Sequence, residues 1–220
     1  MNTLWSFGDS QTFGHGCRLD GPLTEYYNRY KKEGDDIWTN ILSKKLNLKS
    51  NNLGICGASN DTILDTIIDN FNFINEKDMV IIGKTFFIRF DVPDLLFNEL
   101  RPISGEIRSM KVNKKEWWLL KNNKTIEETE TIINFSYHFA SNPLYQKRQD
   151  KRFNFIKERL EQKNVKVFTW VIEDSKKDTF FERIFTASNG KINDGHFSFD
   201  GHKNFANYMF NNINGIKRLM

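Results

Sequence analysis

The chain of 220 residues is poor in the residues that staple or punctuate small folds, with two cysteines, Cys17 and Cys56, and four prolines. Two thiols cannot build a disulfide framework, and alone they cannot supply a four-ligand zinc site. Nowhere do about eighteen apolar residues run together, so the sequence predicts no membrane-spanning helix. Charge of one sign is also missing: 32 basic residues against 28 acidic ones leave a net +4. So slight an excess is no nucleic-acid footprint unless it is clustered. The densest basic stretch, residues 146–152, is interrupted by Asp150 inside a helical pattern, which reads as an ordinary solvated helix face. No nucleic-acid partner is expected. Internal repeats, low-complexity tracts and linker-like boundaries are absent as well, so the expectation is one domain over residues 1–220.

What is present suits a self-sufficient globular core. Hydrophobic residues make up 39% and charged residues 27%, and a chain of this length buries roughly 70–75% of its unfolded surface. The first ten residues, Met1 to Ser10, run straight into a strand and a turn. That leaves no room for the charged and apolar regions of a secretory leader. The expected location is therefore cytoplasmic or virion-associated, with reduced thiols.

Strand and helix patterns alternate along the chain. Thr3–Phe7 is a short apolar strand that ends in Gly8-Asp9-Ser10, and a glycine-rich loop follows over residues 11–35. Trp38, Ile41, Leu42 and Leu46 fall at helical spacing within 36–46. A second strand is expected over 51–55, then a helix over 60–71 capped by Ser59 or Asn60. Met79–Ile82 is an unbroken apolar run, the pattern of a strand buried on both faces. Residues 86–125, with Pro93, Pro102 and Gly105, read as an insertion. Helices are expected over 127–139, 144–162 and 202–212, a short one over 180–185, and a strand over 165–172. Such alternation implies parallel crossovers and a three-layer α/β/α sandwich around a mostly parallel sheet.

In an open parallel sheet, ligands bind beyond the carboxyl ends of the strands, so the residues that follow each strand carry the chemistry. The first strand is followed by Gly8-Asp9-Ser10, the second by a stretch that contains Asn52, Gly54, Gly57 and Asn60, and the third by Gly83-Lys84-Thr85. Near the far end stands Asp194-Gly195-His196, with Gly201-His202 six residues on. A serine on a tight strand-to-helix turn exposes its hydroxyl at the head of the sheet, and small residues present backbone N–H groups to a developing oxyanion. A histidine with a close aspartate supplies a base and its orienting group. Taken singly, each has another explanation: Ser10 can be a helix cap, and His15, His138 and His202 suit loop or packing positions. Gly83-Lys84-Thr85 is not a phosphate loop, because Asp78 stands where that motif needs its first glycine. Cys17 and Cys56 flank the site loops as small packing residues, and Trp117 and Trp118 suit a core or lid.

Together, in this order, the segments resemble the SGNH (GDSL-type) hydrolases over nearly the whole chain. The resemblance implies the flavodoxin-like fold of that family, with Ser10 as nucleophile, His196 as base and Asp194 as the acid that orients it. It places the N–H groups of Ser10 and Gly57 in the oxyanion hole. Two positions depart from the family pattern. Thr85 stands where an asparagine amide is expected, so either Thr85 or Asn60 supplies the third donor. Asn193 stands where the acid is expected, three before the histidine; either Asp194 orients His196 from two before it, or the site works closer to a Ser–His dyad. Arg89 is a candidate substrate-binding residue, with pairing to Asp91 as its alternative. No cofactor or metal is implied. The implied activity is hydrolysis of small-molecule or carbohydrate esters through an acyl-enzyme, O-acetyl or short-chain acyl esters first. A binding or structural module that has lost the activity, and an acyltransferase, are the alternatives.

Overall fold

A computed structural model of the chain describes residues 1–14, 37–85, 89–94, 99–104, 142–171, 197 and 199–215, with 131 and 134 as isolated positions. Strand β1 (Thr3–Phe7) leads into a one-turn helix α1 (Ser10–Phe13). Helix α2 (Trp38–Leu46), strand β2 (Lys49–Asn52) and helix α3 (Asn60–Asn70) follow, and a 3₁₀ turn (Phe71–Phe73) leads to strand β3 (Met79–Lys84). Then come β4 (Arg89–Asp94), β5 (Glu99–Ser104), α4 (Pro143–Glu161), β6 (Lys166–Val171) and α5 (Phe199–Ile213).

Four strands form one parallel sheet in the order β2-β1-β3-β6, with Leu4 beside Ser50 on one side and beside Met79 on the other. Successive side chains of a strand point to opposite faces, and here both sets are apolar. Trp5, Phe7, Val80, Ile82 and Val167 face one way, against Ile63, Leu64 and Ile67 of α3 and Phe153, Ile156 and Leu160 of α4. Leu4, Met79, Ile81 and Trp170 face the other way, against Trp38 and Leu42 of α2 and Phe205, Ala206 and Met209 of α5. The result is a three-layer α/β/α sandwich. Each fully buried large side chain contributes about 1.5–3 kcal/mol, which is why the unbroken run of β3 takes a central position.

β1 and the helical periods of α2, α3 and α4 appear where the pattern predicts them. β2 does not: it spans Lys49–Asn52 rather than 51–55. Leu53 and Ile55 look like strand residues, yet their N–H groups donate to the Ser6 and Gly8 carbonyls at 2.8 and 2.9 Å as the chain turns across the end of β1. Leu53 packs against the core while Ile55 is exposed, and polar Lys49, Ser50 and Asn51 pair with Thr3, Leu4 and Trp5. α5 also begins earlier than expected, at Phe199. Within the expected insertion, β4 and β5 pair as an antiparallel ribbon with no strand in common with the main sheet. Of the expected helix over 127–139 only 131 and 134 are described, both helical, and the expected helix over 180–185 lies outside the described residues, as do the pair Trp117 and Trp118, Cys17, His15 and His138. Among the described residues no helix is long and apolar enough to cross a membrane.

Candidate active site

β1 ends in Gly8-Asp9-Ser10, and Ser10 is the first residue of α1, mostly buried. Asp9 caps this short helix, with Oδ1 accepting from the Gln11 N–H at 3.0 Å. Oδ2 of the same carboxylate accepts from Thr85 Oγ1 at 2.8 Å and from Arg89 Nη1 at 2.9 Å. Arg89 Nη1 also donates to Thr85 Oγ1 at 2.9 Å. Both oxygens of Asp9, only 2% exposed, are thus engaged, as a buried charge requires.

The second turn lies directly against the first. Asn52, the last residue of β2, donates from Nδ2 to the Thr12 carbonyl at 2.8 Å and accepts the Gly54 N–H on Oδ1 at 2.9 Å. Gly54 is so close to α1 that a Cβ there would sit 2.4 Å from the Phe13 nitrogen, and a backbone neighbour cannot give way as a flexible side chain can. Gly57 follows with φ of +79°, in the left-handed region that favours glycine. Ser59 then caps α3 by accepting the Thr62 N–H at 3.0 Å. The glycine block therefore sets the Gly57 turn beside the Gly8–Ser10 turn, and Cys56 is half-buried next to it.

Asn60 and Thr85 are joined by two hydrogen bonds. The Thr85 N–H donates to Asn60 Oδ1 at 2.9 Å, and Asn60 Nδ2 donates to the Thr85 carbonyl at 3.1 Å. This commits one of the two hydrogens on the Asn60 amide. The hydroxyl proton of Thr85 points to Asp9. Lys84, in the same segment, turns toward α4, where its ammonium pairs with Asp150 at 2.9 Å and lies over the Phe153 ring. Arg89 comes from β4, so the ribbon reaches back to the Gly8–Ser10 turn through its first residue.

Beside this centre a polar seam joins α3 to α4. Tyr145 donates to Asp61 at 2.9 Å and accepts from Gln149 Nε2 at 2.9 Å, and Arg152 pairs with the same aspartate. Burial pushes the Tyr145 phenol up to about 12. Asp91 accepts from Thr62 Oγ1 on both oxygens at 2.9 Å, and burial raises its carboxyl above the ordinary carboxylate value.

His196, Asp194 and Asn193 lie outside the described residues. Phe197, the next residue after His196 in the chain, is described: its backbone N–H donates to Gln11 Oε1 at 2.9 Å, and its side chain is fully buried. Gln11 follows Ser10. The two ends of the chain thus meet at the head of the sheet through a hydrogen bond that spans 186 positions. His202 lies in α5, fully buried, with Nδ1 accepting the Trp38 N–H at 3.3 Å. The sequence pattern gave no sign of the roles of Gln11, Asp9 or Asn52 as fasteners; the one local signal was Asp9 standing before a helical start. Among the described residues no group of three or more His, Cys, Asp or Glu is arranged to hold a metal ion.

No family model and no curated protein matches the chain. Solved structures similar to it include a lipase/acylhydrolase from Enterococcus faecalis, at 15% identity, over 98% of this chain and 96% of that chain, TM-score 0.41. The psychrotrophic esterase EstA from a Pseudoalteromonas species is similar at 15% identity, over 98% of each chain, TM-score 0.42. A member of the lipolytic protein G-D-S-L family from Veillonella parvula is similar at 15% identity, over 94% of this chain and 95% of that chain, TM-score 0.37.

Proposed function

We propose that the chain is a serine esterase of the SGNH type that cleaves carboxylic esters through an acyl-enzyme, with carbohydrate O-acetyl or short-chain acyl esters as substrates. The observation that carries this reading is the junction of Gln11 with Phe197, neighbours in the chain of Ser10 and His196. It supports a nucleophile and a base brought together from opposite ends of the sequence. The matching motif blocks supply the chemistry.

In this mechanism Ser10 Oγ attacks the ester carbonyl while His196 accepts its proton, with Asp194 holding the imidazole in the required tautomer. The N–H groups of Ser10 and Gly57 hold the oxyanion. Asn60 is the third donor, through its second amide hydrogen, because the Thr85 proton is directed to Asp9. Protonated His196 then donates to the leaving alkoxide, and the alcohol departs. Water, deprotonated by His196, attacks the acyl-enzyme, and the acid and free Ser10 are regenerated. Arg89 acts in support, as the cation that neutralises Asp9 beneath the nucleophile turn.

The test is labelling by a fluorophosphonate probe read by intact mass. Wild type takes up one adduct, Ser10→Ala takes up none, and His196→Ala is labelled slowly. No adduct on folded wild type would overturn the reading. That outcome would favour a second one, a binding module without turnover. The observation on its side is that the hydroxyl of Thr85, where the family pattern has an asparagine amide, donates to Asp9 rather than into the oxyanion position.

A further inference from the structure

We infer that Gln11 is a positioning residue that latches Phe197, next in the chain to His196, onto the helix that begins at Ser10; the inference rests on the esterase reading above. Gln11 is 4% exposed, and an unpaired amide buried to that degree would be costly. Three of its polar groups are engaged. Its N–H donates to Asp9 Oδ1, its carbonyl accepts from Trp38 Nε1 at 3.0 Å, and Oε1 accepts from the Phe197 N–H at 2.9 Å.

These contacts close into a ring. From Gln11 the path runs to Trp38, whose own N–H donates to His202 Nδ1 at 3.3 Å. His202 stands edge-on to Phe197, with ring centroids 5.4 Å apart at 85°, and the Phe197 N–H returns to Gln11. α1, the start of α2, α5 and Phe197, two residues before α5, are thereby tied at one point. The Nδ1 of His202 accepts, so its proton resides on Nε2 while the ring is closed.

Packing alone does not require this amide. Phe197 already lies against Phe205 and Trp170, at 5.1 and 6.3 Å between centroids, and Phe205 lies against Trp38 at 5.1 Å. What the amide adds is direction: it fixes a main-chain atom adjacent to the base-bearing residue relative to a main chain adjacent to the nucleophile. Small displacements of reacting groups are costly, about 100-fold in rate for 1 Å, so a latch at this point governs rate more than stability.

The experiment compares wild type with Gln11→Met, which keeps length and removes the acceptor, and Gln11→Glu, which keeps an acceptor oxygen at the same reach. Two readouts are taken well below the melting temperature. They are the rate of fluorophosphonate labelling, and hydrogen–deuterium exchange of the peptide that contains Phe197. Gln11→Met should label about 10- to 100-fold more slowly and exchange faster at that peptide. Gln11→Glu should recover both toward wild type. Equal labelling of Gln11→Met and wild type would overturn the inference, and so would unchanged exchange. Should wild type itself not label, the esterase reading falls on that result alone, and exchange decides the latch by the same criterion. If methionine at this site unfolds the chain, Gln11→Asn, polar but one methylene short, makes the same comparison.

Discussion

Two buried aspartates close the two ends of the sheet, and they are partnered differently. At the amino ends of the strands Asp78, 5% exposed, accepts from the Thr3 N–H at 2.7 Å, the Asn75 N–H at 2.9 Å and Trp5 Nε1 at 3.0 Å. At the carboxyl ends Asp9 accepts from one backbone N–H, one hydroxyl and one guanidinium. The first carboxylate is held by neutral, mostly main-chain donors that belong to the sheet and its turn. The second is held by side chains that arrive from β3's end and from the ribbon. An aspartate fastened to backbone secures register. An aspartate fastened to side chains from two other elements sets the charge and angle of a turn, and that turn carries Ser10.

Breaking the cationic end should have the largest effect. Arg89→Met leaves the Asp9 carboxylate buried without its cation, and loss of one partner of a buried pair costs about 3–5 kcal/mol. Denaturant midpoints at neutral pH should fall accordingly, with slower labelling of Ser10. If the midpoint is unmoved, the two carboxylates are equivalent and the contrast fails.

The opposite end gives the second test. Asp78→Asn sets an amide against donors that need an acceptor, at about 1.5–3 kcal/mol for hydrogen bonds to a charged group. Stability should fall, yet labelling of the folded fraction should match wild type, because Asp78 fastens β1 and β3 at the end remote from Ser10. Slower labelling of fully folded Asp78→Asn would show that both ends serve the turn that carries Ser10.

Asp91 sharpens the comparison and carries the smallest effect. It lies two residues from Arg89 and accepts from the Thr62 hydroxyl, and burial raises its carboxyl. A carboxyl raised on folding favours the protonated form, so its contribution is present at low pH and is lost as pH rises through the raised value. Asp91→Asn removes that loss. Thermal melts across pH should therefore show the variant gaining on wild type as pH rises from the acid side into the neutral range. A constant difference across that range would mean that Asp91 is not set apart by burial.

Much of this architecture is legible in local pattern. Met79–Ile82, apolar at every position, places itself in the middle of the sheet because only a strand covered on both faces tolerates such a run. Trp38, Leu42 and their helical spacing are equally readable, since a 3.6-residue period is a property of neighbours in the chain. β2 was legible only in part, because Leu53 and Ile55 imitate a strand while their N–H groups serve the turn over β1. The motif blocks announce a candidate site, yet Thr85 shows the limit of reading by position. Whether its proton goes to an oxyanion or to a carboxylate depends on Asp9, 76 residues away.

The sequence by itself determined the alternation of strand and helix, the apolar faces that must be covered, and the residue types at the head of the sheet. These follow from periodicity and from local turn chemistry, both of which act over a few residues. Only the tertiary structure decided how those residues are held: Asp9 by Thr85 and Arg89, Asn60 by Thr85, and Phe197 by Gln11. The physical reason is that a hydrogen bond between distant residues leaves no local signature. Its existence depends on where two faces of a packed core bring a donor and an acceptor within 3 Å or so of each other, and that distance exists only after the chain has folded.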